Sequence, residues 1–163
     1  MSEQKFNEEA YAKTLGDAMD TLMKGGTMRD LKGVSDGEME TLYSIAYNYY
    51  TTGKYEEADT IFRYLVYLDH SNAKMWIGLG AVQQVRREFA MAVKSYAMAS
   101  FLDLSNPKPQ YYAAECYFAL GDTVNAESAL AALDMYAKPN DPFRVKAKKL
   151  AERIAQMKSA KTA

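Results

Sequence analysis

Apolar residues along this chain recur with the 3.6-residue period of helices, and residues 42–50 show the pattern most densely. Two apolar stripes run along this one segment. The first consists of Leu42, Ile45, Ala46 and Tyr49, and the second consists of Tyr43, Tyr47 and Tyr50. A surface helix needs only one stripe to reach its core. We therefore predict that the first stripe holds the fold and that the tyrosine stripe contacts a partner.

The helical pattern repeats every 34 residues, as the spacing of Ala58, Ala92 and Ala126 shows. The other equivalent sets are Leu42/Trp76/Gln110, Ile45/Leu79/Ala113, Ala46/Gly80/Ala114, Tyr49/Gln83/Tyr117, Phe62/Tyr96/Leu130 and Leu65/Ala99/Leu133. This period, with small residues at two positions, is typical of the tetratricopeptide repeat, a pair of antiparallel helices. The sequence predicts an all-α fold of three repeats in a right-handed superhelix, at residues 39–72, 73–106 and 107–140.

The turns inside the repeats support these boundaries. Gly53 and Gly121 separate the two helices of repeats one and three, because glycine readily takes the left-handed conformation that ends a helix. Repeat two has Arg86, Arg87 and Glu88 at this place. That sequence is a less favourable helix stop than one with glycine.

Amphipathic segments flank the repeats on both sides. The apolar positions are Tyr11, Leu15, Ala18 and Leu22 in the N-terminal segment, and Phe143, Ala147, Leu150, Ile154 and Met157 in the C-terminal segment. We expect the C-terminal seam to cover the last repeat, because stacked repeats need caps at their ends. The N-terminal helix either caps the first repeat or forms a dimer face with another copy. A short helix is expected after it, at residues 27–31.

No low-complexity linker interrupts the chain, so we predict one domain over residues 1–163. Its parts are an N-terminal helical or dimerisation segment at 1–35, the three repeats at 36–140 and a capping helix at 141–158. The tail at 159–163 is predicted to be disordered, as chain ends often are.

Composition narrows the classes of function. The 163 residues carry a net charge of −1, which gives no bulk attraction to nucleic acid or anionic membranes. No stretch approaches the roughly 18 uninterrupted apolar residues of a membrane-spanning helix, and residues 1–9 contain no apolar signal region. We therefore expect a cytoplasmic protein that binds no nucleic acid and has no direct membrane anchor.

Residues that could carry catalysis are few. His70 is the only histidine and Cys116 the only cysteine, so a usual structural zinc site cannot form and neither residue lies in a nucleophile motif. The glycines at 78 and 80 lie inside a helix, which favours close helix packing over a phosphate loop. We predict no catalytic residue, no metal and no cofactor, and hence no enzyme. The basic residues of 144–161 are interpreted as a solvated face of the cap, in preference to a contact with nucleic acid or an acidic partner.

The first helix of each repeat lines the concave surface of the superhelix. Its groove-facing positions lie one residue after the packing stripe. They are Tyr43, Tyr47 and Tyr50 in repeat one, Ile77, Ala81, Gln84 and Val85 in repeat two, and Tyr111, Glu115 and Phe118 in repeat three. Such an apolar, aromatic trough suits an extended peptide that carries hydrophobic side chains. A groove that clamps a terminal carboxylate would instead present lysine, arginine and asparagine.

Several short motifs resemble those of the class II chaperones of bacterial type III secretion. They are MKGGT at 23–27, LYSIA at 42–46, GKYEEA at 53–58, LDH at 68–70, GLGA at 78–81, AAEC at 113–116 and AES at 126–128. The resemblance covers roughly residues 15–133. It implies a small bacterial cytoplasmic chaperone without an ATP cycle, which binds two hydrophobic translocator proteins before secretion.

The same resemblance implies how the partner is held. An extended N-terminal segment of each translocator would lie in the concave groove, against Tyr43, Tyr47 and Tyr50. It also implies a homodimer, formed through the N-terminal region when no cargo is bound. A tetratricopeptide scaffold or a co-regulator of transcription, without translocator cargo, is the alternative.

Overall fold

A computed structural model of the chain describes the backbone of residues 8–162 and the side chains of residues 12–160. The helices are α1 (Glu8–Met23), α2 (Met28–Lys32), α3 (Asp36–Thr51), α4 (Tyr55–Leu68), α5 (Ala73–Val85), α6 (Phe89–Leu102), α7 (Pro107–Ala119), α8 (Thr123–Tyr136) and α9 (Pro142–Thr162). The predicted all-α fold is confirmed. Within the described range, no helix is both long and apolar enough to cross a membrane.

Three helix pairs, α3–α4, α5–α6 and α7–α8, form the three repeats, and each helix packs against the next one along the chain. The small residues predicted to allow close approach lie fully inside. Ala46, Ala58, Ala92, Ala114 and Ala126 are all completely buried. Because a small residue at each helix crossing, alanine or Gly80, leaves room for the facing backbone, larger residues can fill the spaces between the repeats.

Side-chain caps fix where the helices begin. The Ser35 hydroxyl accepts the Glu38 N–H at 3.3 Å, and the Glu38 carboxylate accepts the Ser35 N–H at 2.8 Å, so α3 starts with a complete capping box. Asn72 and Asn106 cap α5 and α7 with their side-chain oxygens. These caps set the start of each groove-lining helix.

The turn of repeat two adopts the same left-handed conformation as the other turns, without a glycine. Its Arg87 has φ 62°, whereas Gly53 and Gly121 have φ 79° and 76°. The neighbouring Arg86 forms ion pairs with Glu56 at 3.1 Å, with Asp59 at 3.3 Å and with Glu88 at 2.9 Å. These pairs hold the turn against repeat one and offset the strain of a non-glycine residue in this conformation.

The C-terminal end of the stack is covered. Helix α9 packs on α8 and α7 and buries Phe143, Ala147, Leu150 and Ile154. The predicted seam is therefore confirmed. The helix also continues past the predicted end at residue 158, so the prediction of disorder is wrong for residues 159–162, while Ala163 lies outside the described residues.

The N-terminal end of the stack is open. Helix α1 packs mainly against α2 and does not cover α3, so of the two alternatives for this helix the cap on the first repeat is not formed. Leu15 and Leu22 remain 50% and 45% exposed. Ile45, which the sequence places in the packing stripe, is 43% exposed because no preceding helix covers that face of α3. The Tyr11 side chain lies outside the described residues.

Candidate binding groove

The concave side of the stack holds a cavity of about 610 Å³ between α3, α5 and α7. Seven of the ten predicted groove residues line it: Tyr43, Tyr47, Tyr50, Ile77, Ala81, Gln84 and Val85. The remaining lining residues are Phe62, Gly78, Phe89, Tyr96, Lys108 and Tyr112. The sequence analysis predicted groove residues on one face of the first helix of each repeat. It did not predict these six additional lining residues.

The tyrosine stripe of α3 forms one wall of the cavity. The Tyr43 and Tyr47 rings stack with centroids 6.5 Å apart, and the Tyr50 ring lies 6.4 Å from that of Tyr47. Tyr47 is 54% exposed, so its ring is available to a ligand. Burial raises the pKa of Tyr43 and of Tyr50, which keeps both phenols neutral. The wall therefore offers aromatic surface edged by hydroxyl groups.

Two aromatic side chains reach the cavity floor from the second helices of their repeats. Phe62 of α4 and Tyr96 of α6 pass beneath α5, where glycines leave space for the rings. A Cβ on Gly78 would lie 2.1 Å from Phe62 Cε1, and a Cβ on Gly80 would lie 2.7 Å from Tyr96 Cε1. The two glycines thus serve close packing, as predicted. Phe62 and Tyr96 occupy equivalent positions in repeats one and two, and each faces a glycine of α5. This match of large and small residues was the sequence signal that could have predicted the cavity floor.

Polar side chains connect repeats two and three beside the floor. The Tyr96 hydroxyl donates to Gln84 Oε1 at 2.8 Å, and Gln84 Nε2 donates to Glu115 Oε2 at 3.2 Å. The Tyr111 hydroxyl donates to the other Glu115 oxygen at 2.8 Å. Burial, together with this hydrogen bond, raises the pKa of Tyr111 to about 12. Glu115 is therefore engaged by neighbouring side chains and does not line the open cavity.

The groove face of repeat three is covered by α9. The Phe143 ring packs against Tyr111 at 5.4 Å, and the Arg153 guanidinium lies 5.0 Å from the centre of the Phe118 ring. The structure places these two aromatic residues against α9, outside the lining of the cavity. The 34-residue period places them on the concave face, but the helix after the last repeat occupies that place.

Two basic residues of α9, Arg144 and Lys158, help to pack this helix against α8. Arg144 pairs with Asp134 and donates to the carbonyl oxygens of Ala137 and Lys138, which directly follow α8. Lys158 pairs with Glu127 at 2.9 Å. These contacts give part of the basic face a structural role at the C-terminal cap.

Comparisons with known proteins agree with this architecture. A tetratricopeptide repeat model matches residues 39–72. The low calcium response locus protein H of Yersinia pestis is 39% identical over 114 residues, which are 69% of this chain and 68% of that protein. A chain from a T3SS complex of Aeromonas hydrophila is 35% identical, with a TM-score of 0.74 over 90% of this chain and 96% of that one.

Among the solved structures that resemble this chain is one with a bound peptide. It is the type III secretion chaperone SycD of Yersinia enterocolitica, in complex with a peptide of the translocator YopD. SycD is 32% identical to this chain, with a TM-score of 0.71 over 77% of this chain and 98% of SycD. The chain belongs to the class II, or translocator, chaperones of type III secretion.

The two residues considered for catalysis, His70 and Cys116, lie in a turn and in the core of this chaperone. The carbonyl oxygen of His70 accepts a hydrogen bond from the Trp76 indole at 2.8 Å, in the turn between repeats one and two. Cys116 is fully buried, and burial raises the pKa of its thiol to about 12. A thiol in this state is a poor nucleophile. Over the part of the chain that the structure describes, no group of three potential metal ligands comes together.

Proposed function

We propose that this protein is a cytoplasmic, non-enzymatic chaperone that holds an extended hydrophobic segment of translocator proteins in its groove. Binding there would prevent aggregation and premature membrane insertion before secretion. The observation that carries the proposal is the cavity of about 610 Å³ with its aromatic wall and floor. Among the residues that line it, Lys108 alone bears a formal charge.

The shape and chemistry of the cavity favour an extended chain as ligand. An extended peptide turns alternate side chains to the same side, so residues two apart can enter one trough. Aromatic rings supply large contact areas at small entropic cost, and a few such anchors usually dominate affinity. The complex of SycD with a YopD peptide supports the same mode of binding here, because SycD shares this fold at 32% identity.

A co-expression experiment tests this function. The variant Tyr43→Ala with Tyr47→Ala removes two rings from the wall, and we expect each truncation to cost about 2 kcal/mol of binding free energy. The matched control is Tyr64→Ala with Tyr67→Ala, which removes a stacked tyrosine pair from the outer helix α4, where the ring centroids are 6.2 Å apart. The readout is the amount of soluble co-expressed translocator that co-purifies with the chaperone.

The two variants should give opposite results. The groove variant should lose most of the co-purified translocator and leave it insoluble, whereas the outer variant should retain both. Equal recovery with the two variants, at equal chaperone stability, would contradict binding in the groove. A scaffold or a transcriptional co-regulator without this cargo would give no co-purified translocator with any variant, including the unchanged chain.

We also propose that the chaperone forms a homodimer through α1 when no cargo is bound. Leu15, Met19 and Leu22 leave an apolar face of α1 about half exposed, and Ala18 lies on the same helix. Ile45 on α3 adds a further exposed apolar residue at this end of the stack. Pairing of two copies would remove these surfaces from water.

Light scattering during size-exclusion chromatography tests this pairing. The variant Leu15→Glu with Leu22→Glu should elute as a monomer, because it places two charges in the apolar contact. Lys13→Glu, at an exposed position of the same helix, is the control and should remain dimeric. Proof of a monomer for the unchanged chain at high concentration would overturn the proposal.

A further inference from the structure

Lys108 differs from the other residues that line the groove because its side chain is charged. It borders the aromatic cavity together with Tyr43, Ile77 and Tyr112, and its side chain is exposed. In the described part of the chain, no carboxylate lies within ion-pairing distance of its ammonium group. An unpaired cation at the edge of an apolar binding site is free to interact with a ligand.

The equivalent lysine of the preceding repeat is already engaged. Lys74, which lies 34 residues earlier, forms an ion pair with Glu40 at 2.9 Å. Its ammonium group also lies 3.9 Å from the centre of the Tyr43 ring. Lys74 therefore helps to hold the tyrosine wall, whereas Lys108 at the same repeat position has no such partner.

Helix stability does not explain a lysine at position 108. The residue lies in the first turn of α7, directly after the Asn106 cap and Pro107. A cation in the first turn of a helix is disfavoured by the helix dipole. A residue that is locally unfavourable is more readily explained by what it contacts in a complex.

The surroundings of Lys108 leave room for a carboxylate. A second cavity of about 480 Å³ adjoins the first and shares Tyr43, Ile77 and Lys108 with it. Asp103 is the one acidic residue that lines it, and Asp103 Oδ1 already accepts hydrogen bonds from the Ser105 N–H and hydroxyl, at 3.1 and 2.7 Å. The lining residues of this second cavity thus include two cations and one carboxylate.

We infer that Lys108 determines specificity in the groove by selecting segments that carry an acidic side chain next to their apolar anchors. The inference rests on the proposed function, because it concerns the same groove. In an extended segment, neighbouring side chains point to opposite sides. When an apolar side chain enters the aromatic cavity, an adjacent aspartate or glutamate can therefore face the rim where Lys108 lies.

The test uses synthetic fluorescent peptides and the full chain. Each peptide carries two leucines two positions apart, and the residues beside them are all aspartate, all asparagine or all lysine. Fluorescence anisotropy measures the dissociation constants. We expect the aspartate peptide to bind about fivefold more tightly than the asparagine peptide, as for a partly exposed ion pair. Raising the ionic strength should narrow this difference.

Two variants at Lys108 and one matched control complete the design. Lys108→Gln should abolish the preference for aspartate, and Lys108→Glu should reverse it in favour of lysine. Lys94→Gln removes an exposed lysine from α6, outside both cavities, and should leave the preference unchanged. Because Lys108 is exposed and the dipole of α7 disfavours its charge, neither variant should melt at a lower temperature than the unchanged chain.

The outcomes separate the two proposals. If the peptides bind and Tyr47→Ala weakens binding, but the preference does not depend on residue 108, the inference is overturned and the proposed function stands. If no peptide binds, or if Tyr47→Ala does not affect binding, both are overturned. Loss of the preference in Lys108→Gln with retained binding of the asparagine peptide supports the inference.

Discussion

The groove faces of repeat one and repeat three occupy equivalent positions but have opposite environments. In repeat one, the ring of Tyr47 is 54% exposed at the wall of an open cavity. In repeat three, Tyr111 and Phe118 lie against Phe143 and Arg153 of α9. The same aromatic pattern therefore serves as a binding surface at one end and as a packing surface at the other.

A second set of equivalent positions also differs in exposure according to the neighbouring helix. Ile45 is 43% exposed, whereas its equivalents Leu79 and Ala113 are 5% and 7% exposed. Leu79 and Ala113 each have a preceding repeat to pack against, and Ile45 does not. The repeat position determines which way a side chain points, and the neighbouring helix determines whether that side chain is available to a partner.

Removing the cover of repeat three should have the largest effect on stability. Phe143→Ala deletes a buried ring that touches both Tyr111 and Tyr112, and such truncations cost about 3–5 kcal/mol. Thermal and urea unfolding measure this loss. The control is Val145→Ala on the same helix, which is 62% exposed and should change stability by less than about 0.5 kcal/mol. Equal unfolding of the two variants would show that α9 does not hold the face of repeat three.

Adding one methyl group at Gly78, beside the cavity floor, should have a smaller effect on stability. Gly78→Ala places a Cβ where the Phe62 ring now lies, and overpacking of this kind costs about 1–3 kcal/mol. The position is informative because its equivalent in repeat three is Tyr112, whose ring stacks on Tyr96 at 5.6 Å. Gly37→Ala in α3, where a Cβ meets no atom within 4 Å, is the control and should not destabilise the chain. Unfolding at an unchanged denaturant midpoint for Gly78→Ala would contradict the tight floor.

Relieving the strained turn of repeat two should have the smallest effect, and it should stabilise. Arg87→Gly replaces a residue at φ 62° by the residue that repeats one and three use there. Left-handed conformations cost an L-residue about 1–2 kcal/mol, so we expect a net gain of about 1 kcal/mol in the free energy of unfolding. Arg86→Gly should instead destabilise the chain, because Arg86 pairs with Glu56, Asp59 and Glu88. Destabilisation by Arg87→Gly would show that the turn carries no strain.

The repeat architecture was predictable because each unit uses the same local rules. The 34-residue spacing, the alanines at helix crossings and the capping residues all indicate the same helix pairs, and the structure contains them. The face of each groove-lining helix was predictable for the same reason. The seven groove residues predicted in repeats one and two line the cavity, as the 34-residue period indicates.

What the sequence did not reveal concerns contacts between non-equivalent elements. Nothing in the period indicates that α9 covers Phe118 or that α1 leaves Ile45 exposed, because each flanking helix occurs only once. The contributions of Phe62 and Tyr96 depend on the missing side chains of Gly78 and Gly80. Such pairs become visible only when a large residue of one helix is matched with a small residue of its neighbour.

Site-specific photo-crosslinking tests the central contrast most directly. A benzophenone amino acid replaces Tyr47 in one variant and Phe118 in another, and each chaperone is irradiated in complex with its translocator. We expect a strong chaperone–translocator adduct from position 47 and little or none from position 118. A stronger adduct from position 118 than from position 47 would contradict the assignment of the open groove to repeats one and two.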